Sequence, residues 1–137
     1  MIFVDTNFFL RFLLKDNTSQ SQEAKQLFLR SAQGELSLTT SIVVFFEVVW
    51  VLRKSFSKDK QALIDTLSKV LDLKVELKER PILVESIELF KETNLSLEDC
   101  FNLSFTKNRK IIEFKTFDNK LKKEFEKIVG RKKRFNI

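Results

Sequence analysis

The sequence predicts an α/β fold in which a short, mostly parallel sheet is covered by helices on both faces. Three observations predict it. Ile2-Phe3-Val4 is an apolar, partly β-branched run that ends at Asp5, as a buried parallel strand would. Stretches with helical spacing alternate along the chain with short strand-like ones, the order expected of a parallel sheet with helical crossovers. The 137 residues, 43% of them hydrophobic, can bury one core without disulfides or a structural metal, and 1–137 reads as a single domain.

After the strand at Ile2 to Val4, Thr6 to Leu14 reads as a short apolar helix that stops near Asp16-Asn17. From Thr18 an amphipathic helix carries Ala24, Leu27, Phe28 and Ala32 on one stripe and ends at Gly34, a favourable residue just past a helix C-terminus. Leu36 to Thr40 is a candidate second strand. Ser41 then caps Ile42 to Leu52, whose length favours a helix although it is apolar on every side except at Glu47. Lys58 to Leu71 has helical spacing, and Lys74 to Leu77 alternates like a strand. Pro81 suits the first turn of a helix that ends near Asn94, and Ser96 to Asn108 is the next helix. Ile111 to Lys115 reads as a strand leading into Thr116-Phe117-Asp118, and Lys120 to Val129 as a last helix stopped by Gly130.

Absent residues limit the chemistry. There is no histidine and only one cysteine, Cys100, so Ser-His-Asp or Cys-His catalysis, a histidine zinc site and a disulfide all drop out. The two glycines, Gly34 and Gly130, are too far apart for a phosphate-binding loop. An enzyme with this composition works through carboxylates. The N-terminus lacks the features of a secretory signal, and no apolar run approaches the roughly 20 residues that span a bilayer, so a cytoplasmic protein without a membrane segment is expected. From Lys120 onward eight basic residues face two acidic ones, which accounts for the whole net charge of +6. Lys120, Lys123, Arg131, Lys132, Lys133 and Arg134 are therefore candidate phosphate contacts, or else a solvated helix face followed by a lysine-guarded edge strand.

Four carboxylates stand out. Asp5 and Asp118 each follow a predicted strand, the end at which open parallel sheets bind ligands, though either could instead cap the helix that follows. Glu47 interrupts an apolar segment and would need a partner if buried: a metal ion, Arg11 or Arg53, or else an exposed position at the edge of the run. Asp99, in Ser96-Leu97-Glu98-Asp99, resembles part of a helix N-terminal cap and points nearly opposite the stripe formed by Leu97, Cys100, Phe101, Ser104 and Phe105. Such acids suit phosphodiester hydrolysis, because hard Mg²⁺ or Mn²⁺ takes oxygen ligands and activates water without any histidine.

Asp5-Thr6-Asn7, Glu47-Val48-Val49-Trp50-Val51-Leu52, Glu98-Asp99 at a helix start and Thr116-Phe117-Asp118 resemble, in order and spacing, the PIN domains, and especially the VapC-type toxins. The apolar Phe9-Leu10-Arg11-Phe12-Leu13-Leu14 before Asp16 adds to the likeness, which covers nearly the whole chain. The resemblance implies a three-layer α/β/α sandwich in which Asp5, Glu47, Asp99 and Asp118 converge on one or two divalent ions, with Asn7 and Thr116 orienting them. It also implies endonucleolytic cleavage of RNA, association as a homodimer, and inhibition by a small antitoxin. Two features depart from the pattern: bulky Phe101 and Phe105 after Asp99, where small residues are usual, and Asn108-Arg109-Lys110, where glycine is frequent.

The competing reading is a non-catalytic α/β module that binds RNA or a protein through its basic end and uses the acids as caps. An aspartyl-phosphate enzyme or receiver domain fits worse, since Asp5-Thr6-Asn7 has no second aspartate two positions on.

Overall fold

Each helix of the N-terminal half begins where a short polar side chain can take an unpaired backbone N–H, and those caps set the element boundaries. The computed structural model describes residues 1–57 and 59–135, with side chains described through residue 130. The protein is mostly helical, with a short parallel sheet. Two units form, Met1–Arg80 and Pro81–Ile137.

In the first unit, β1 (Ile2–Phe3) pairs in parallel with β2 (Leu38–Thr39), Ile2 opposite Leu38 and Phe3 opposite Thr39. The other edge of β2 meets Glu76, whose N–H donates to the Leu38 carbonyl at 2.8 Å while its carbonyl accepts from the Thr40 N–H at 3.0 Å. The strand expected over Lys74 to Leu77 is thus reduced to a single parallel bridge. At the opposite edge, β1 is shorter and more open than a buried parallel strand: Ile2 and Phe3 are exposed, and only Val4 is buried.

Helix α1 (Thr6–Leu14) follows β1 and ends at Lys15, which adopts a left-handed conformation at φ 55°. Helix α2 (Thr18–Ala32) is capped by Asn17, whose side chain accepts from the Gln20 N–H, and closes at Gly34, where a φ of +82° favours a residue without Cβ. Its buried stripe is Ala24, Phe28 and Ser31, whereas the expected Ala32 is exposed. Ser31 takes that inner place because its hydroxyl donates to the Lys74 carbonyl at 2.6 Å, so a polar side chain can be buried at little cost.

Helix α3 (Ile42–Phe56) starts at Ser41, which accepts from the Val44 N–H, and buries Val44, Phe45, Val48, Val49 and Leu52. Helix α4 (Lys60–Asp72), capped by Asp59, buries Leu63, Ile64, Leu67, Val70 and Leu71. Fully burying one such aliphatic side chain contributes about 1.5–3 kcal/mol, so the apolar faces of α3 and α4 add to this unit's stability.

The second unit contains α5 (Arg80–Glu92, which begins at the last residue of the first unit), α6 (Leu97–Lys107) and α7 (Asn119–Phe135). Leu95, Cys100, Leu103, Leu121 and Phe125 form a core against which Ile111 and Phe114 pack. That packing explains a correction. The segment from Ile111 to Lys115 was expected to be a strand and carries no regular structure, since its two inward side chains are three residues apart, whereas a strand turns every second residue inward.

A second correction concerns Gly130, which does not stop the last helix. Helix α7 runs through it to Phe135, because Leu121, Phe125, Ile128 and Val129 keep one apolar stripe against the core and offset the modest helical cost of glycine. The edge strand considered for the basic end is accordingly replaced by helix as far as Phe135. Among the described residues no helix is long and apolar enough to cross a membrane.

A Cβ built on Gly130 meets nothing within 4 Å. Gly130→Ala is therefore expected to stabilise the protein by about 0.5 kcal/mol, the lower part of the Gly-to-Ala range, since the site lies near a helix end. Urea unfolding checks this, and a lowered midpoint would show that α7 does not continue through residue 130.

Candidate active site

Asp5 stands between β1 and α1, where the chain turns from extended backbone (φ −87°, ψ 169°) into helix. Its Oδ1 accepts from the Thr6 N–H at 2.8 Å, so the side chain caps α1 while remaining exposed to solvent. Thr6 itself is buried, and its hydroxyl donates to Oε2 of Glu47 on α3 at 2.5 Å. Two carboxylates from elements far apart in sequence are thereby linked through one residue.

Glu47 is exposed, on the outer side of a helix whose other side is buried. Of the partners considered for it, Arg11 is engaged elsewhere: its guanidinium donates to both carboxylate oxygens of Asp16, at 2.8 and 2.9 Å, and to Gln20 at 2.6 Å. Exposure and the Thr6 hydroxyl answer the desolvation problem that the sequence posed. Asn7, in the first turn of α1, is exposed and lines a pocket of about 240 Å³ with Phe8, Arg11, Gln20 and Glu23.

The other two carboxylates belong to the second unit. Asp99 lies in the first turn of α6, half-buried where its helical phase had suggested exposure, and its N–H donates to Oγ of Ser96, the cap. Asp118 is exposed and caps α7, its Oδ1 accepting from the N–H groups of Lys120 (3.0 Å) and Leu121 (3.2 Å). Thr116 holds it from behind, since the Thr116 hydroxyl oxygen accepts from the Asp118 N–H at 3.0 Å. All three aspartates sit at helix N-termini, where the helix dipole favours a negative charge.

The chain matches the family model of the PIN domain over residues 2–125. It belongs to the PIN domain family. PIN domains are typically metal-dependent nucleases, and the matched span includes all four acids. Comparison with curated proteins and with solved structures gave no match.

For a PIN domain the donor chemistry of these residues fits a hard divalent ion, since every proposed ligand is a carboxylate oxygen and no softer donor is called for. What the geometry brings together is the Asp5–Glu47 pair. Among the described residues no group of three or more His, Cys, Asp or Glu side chains is close enough to hold a metal ion. Of the basic candidates, Lys120 and Lys123 are exposed on α7, while the side chains of Arg131, Lys132, Lys133 and Arg134 lie outside the described residues.

Thr6 was not among the candidates drawn from the sequence, yet it connects the pair. The signal was available in the triplet Asp5-Thr6-Asn7, in which a hydroxyl stands between two polar side chains just past a strand. Replacing it by Val keeps the shape and deletes the donor. Thr6→Val is expected to cost about 1 kcal/mol, below the usual range for a bond to a charged acceptor because exposed Glu47 can turn to water, while Thr6→Ser costs less. Equilibrium unfolding of both variants checks the order, and equal stability of Thr6→Val and wild type would show that the bond does not hold the pair.

Proposed function

We propose that this PIN domain is a Mg²⁺- or Mn²⁺-dependent endoribonuclease, the toxin of a VapBC-type pair, with a three-layer α/β/α arrangement over one domain. The observation that carries the reading is the Thr6-linked pair of exposed carboxylates, Asp5 and Glu47, at the end of a parallel strand in a chain of this family. In this proposal Asp5 and Asp99 hold the ion, and Glu47 and Asp118 complete the acidic site. A bound divalent ion supplies Lewis acidity and an activated water for attack on the phosphodiester. The chain's own part is to fix the acids: Thr6 positions Glu47, Thr116 positions Asp118, and Asn7 joins Thr116 in orienting the carboxylates by hydrogen bonds.

The partners that go with the reading are an RNA substrate, a second copy of the chain and a small antitoxin, in the cytoplasm. Lys120 and Lys123, with Arg131, Lys132, Lys133 and Arg134, add salt-dependent attraction for RNA phosphates. A small upstream gene encoding a DNA-binding segment and an apolar helical tail would support the toxin assignment.

The test is RNA cleavage by the purified protein with Mg²⁺, with EDTA, and after Asp5→Asn. Loss of activity by roughly 100-fold or more is expected from either change. Cleavage that survives both EDTA and the substitution would overturn the metal mechanism.

One observation favours a second reading, a non-catalytic module that binds RNA or a protein through its basic end. Asp5 and Asp118 both accept backbone N–H groups as helix caps and so have a structural use. Asp118→Asn separates the two roles, because asparagine caps a helix about as well as aspartate but does not carry the charge. On the nuclease reading this variant unfolds within about 0.5 kcal/mol of wild type and cleaves RNA poorly. A melting temperature that Mg²⁺ or Mn²⁺ does not raise beyond a matched salt control would favour the non-catalytic module.

A further inference from the structure

Trp50 is the only tryptophan, and the chain has no tyrosine. It stands on α3 with 56% of its surface exposed, while Val48 and Val49 beside it are fully buried. Single exposed apolar residues are ordinary, so exposure alone says little. Its surroundings say more. Val43, Glu47, Trp50 and Lys54 follow one another at spacings of four, three and four, which at about 100° per residue places them within roughly 60° of one helix face. The Lys54 ammonium stands 3.4 Å from the centroid of the indole, covering part of the ring and holding a cation against it.

We propose that Trp50 and Lys54 form a stacking subsite for a base of single-stranded RNA, one helical turn from Glu47. The identity of the ligand rests on the nuclease reading above; the geometry of the subsite does not. Every base has a flat π-face, so an exposed indole accepts any of them, whereas bases stacked inside a duplex cannot reach it. The ammonium held over the ring has three donors and can offer one to a phosphate oxygen. One turn of helix is about 5 Å, so a nucleotide seated on Trp50 lies within reach of Glu47.

A partner helix is the other natural occupant of an exposed stripe. The centre of a protein interface is depleted in charged residues, yet two of the four side chains here are charged and interleave with the apolar ones. That composition favours a ligand carrying both rings and charges.

Because Trp50 is the sole strong fluorophore, its emission reports on this face alone. In Asp5→Asn protein with Mg²⁺, a short single-stranded RNA is expected to quench the emission saturably, and the same sequence annealed as a duplex to bind at least about tenfold more weakly. Lys54→Ala weakens the binding but still allows quenching at saturation. In the active protein Trp50→Ala raises KM roughly 10- to 100-fold with kcat nearly unchanged, and Trp50→Phe restores most of the loss. Absence of quenching by single-stranded RNA, or an equal response to duplex, overturns the subsite. So does emission that changes on dilution of the protein without RNA, which would assign the face to a second copy of the chain. Quenching without cleavage by the wild-type protein would overturn the nuclease reading and leave the subsite standing, and cleavage without quenching would do the reverse.

Discussion

The site depends on how the end of β1 is clamped to the end of β2. The Val4 N–H donates to the Thr39 carbonyl at 2.9 Å, and the Thr40 hydroxyl donates to the Val4 carbonyl at 2.8 Å, so both strands stop at the same level. Each then feeds a helix within two residues: Asp5 leads into α1 and Ser41 into α3. Thr6 and Glu47 are 41 residues apart in sequence and meet because adjacent parallel strands deliver their helices side by side. The hydroxyl of Thr6 closes a contact that the strand pairing has already brought within reach. Asp5 thus stands at the carboxyl end of a parallel strand, where open α/β sheets bind ligands.

Much of this was legible because caps and strand ends are local. Asp5, Ser41, Ser96 and Asp118 each lie where a short polar side chain precedes a helical run, and each accepts a backbone N–H as that position demands. Glu47 was harder, since its segment looked apolar all round. That impression came from Val43 and Trp50, two large apolar residues on the exposed face of α3. Periodicity weighs residue types and cannot tell an apolar side chain kept in water from one in the core.

Two misread segments of the second unit share a physical cause, which is that the α6–α7 core overrides local preference. Ile111 to Lys115 reads as a strand leading into Thr116-Phe117-Asp118, but side chains at spacing three are drawn onto the core and the segment stays irregular. Gly130 suggests a stop, but the apolar stripe that includes Ile128 and Val129 carries the helix past it. Asp99 is likewise half-buried where its phase on α6 suggested exposure, because burial depends on what surrounds a side chain and helical phase does not report that.

Capping and metal binding are compatible uses of one carboxylate. A cap occupies one acceptor site, whereas an ionised carboxylate has about four, and the positive end of the helix favours the charge that a cation needs. Capping also restricts the rotamers of the side chain, so an acid held in this way is ordered before any ligand arrives. Capping alone does not mark a site, as Asp59 shows: its Oδ1 accepts from the Ala62 N–H at 3.0 Å and starts α4 as an ordinary structural residue. What separates Asp5 from Asp59 is the neighbour. The residue after Asp5 is a buried threonine that spends its hydroxyl on a second, exposed carboxylate. Two acids oriented by one residue, each with oxygen lone pairs left over, are more than α1 needs to begin, and the surplus is what a divalent cation would use.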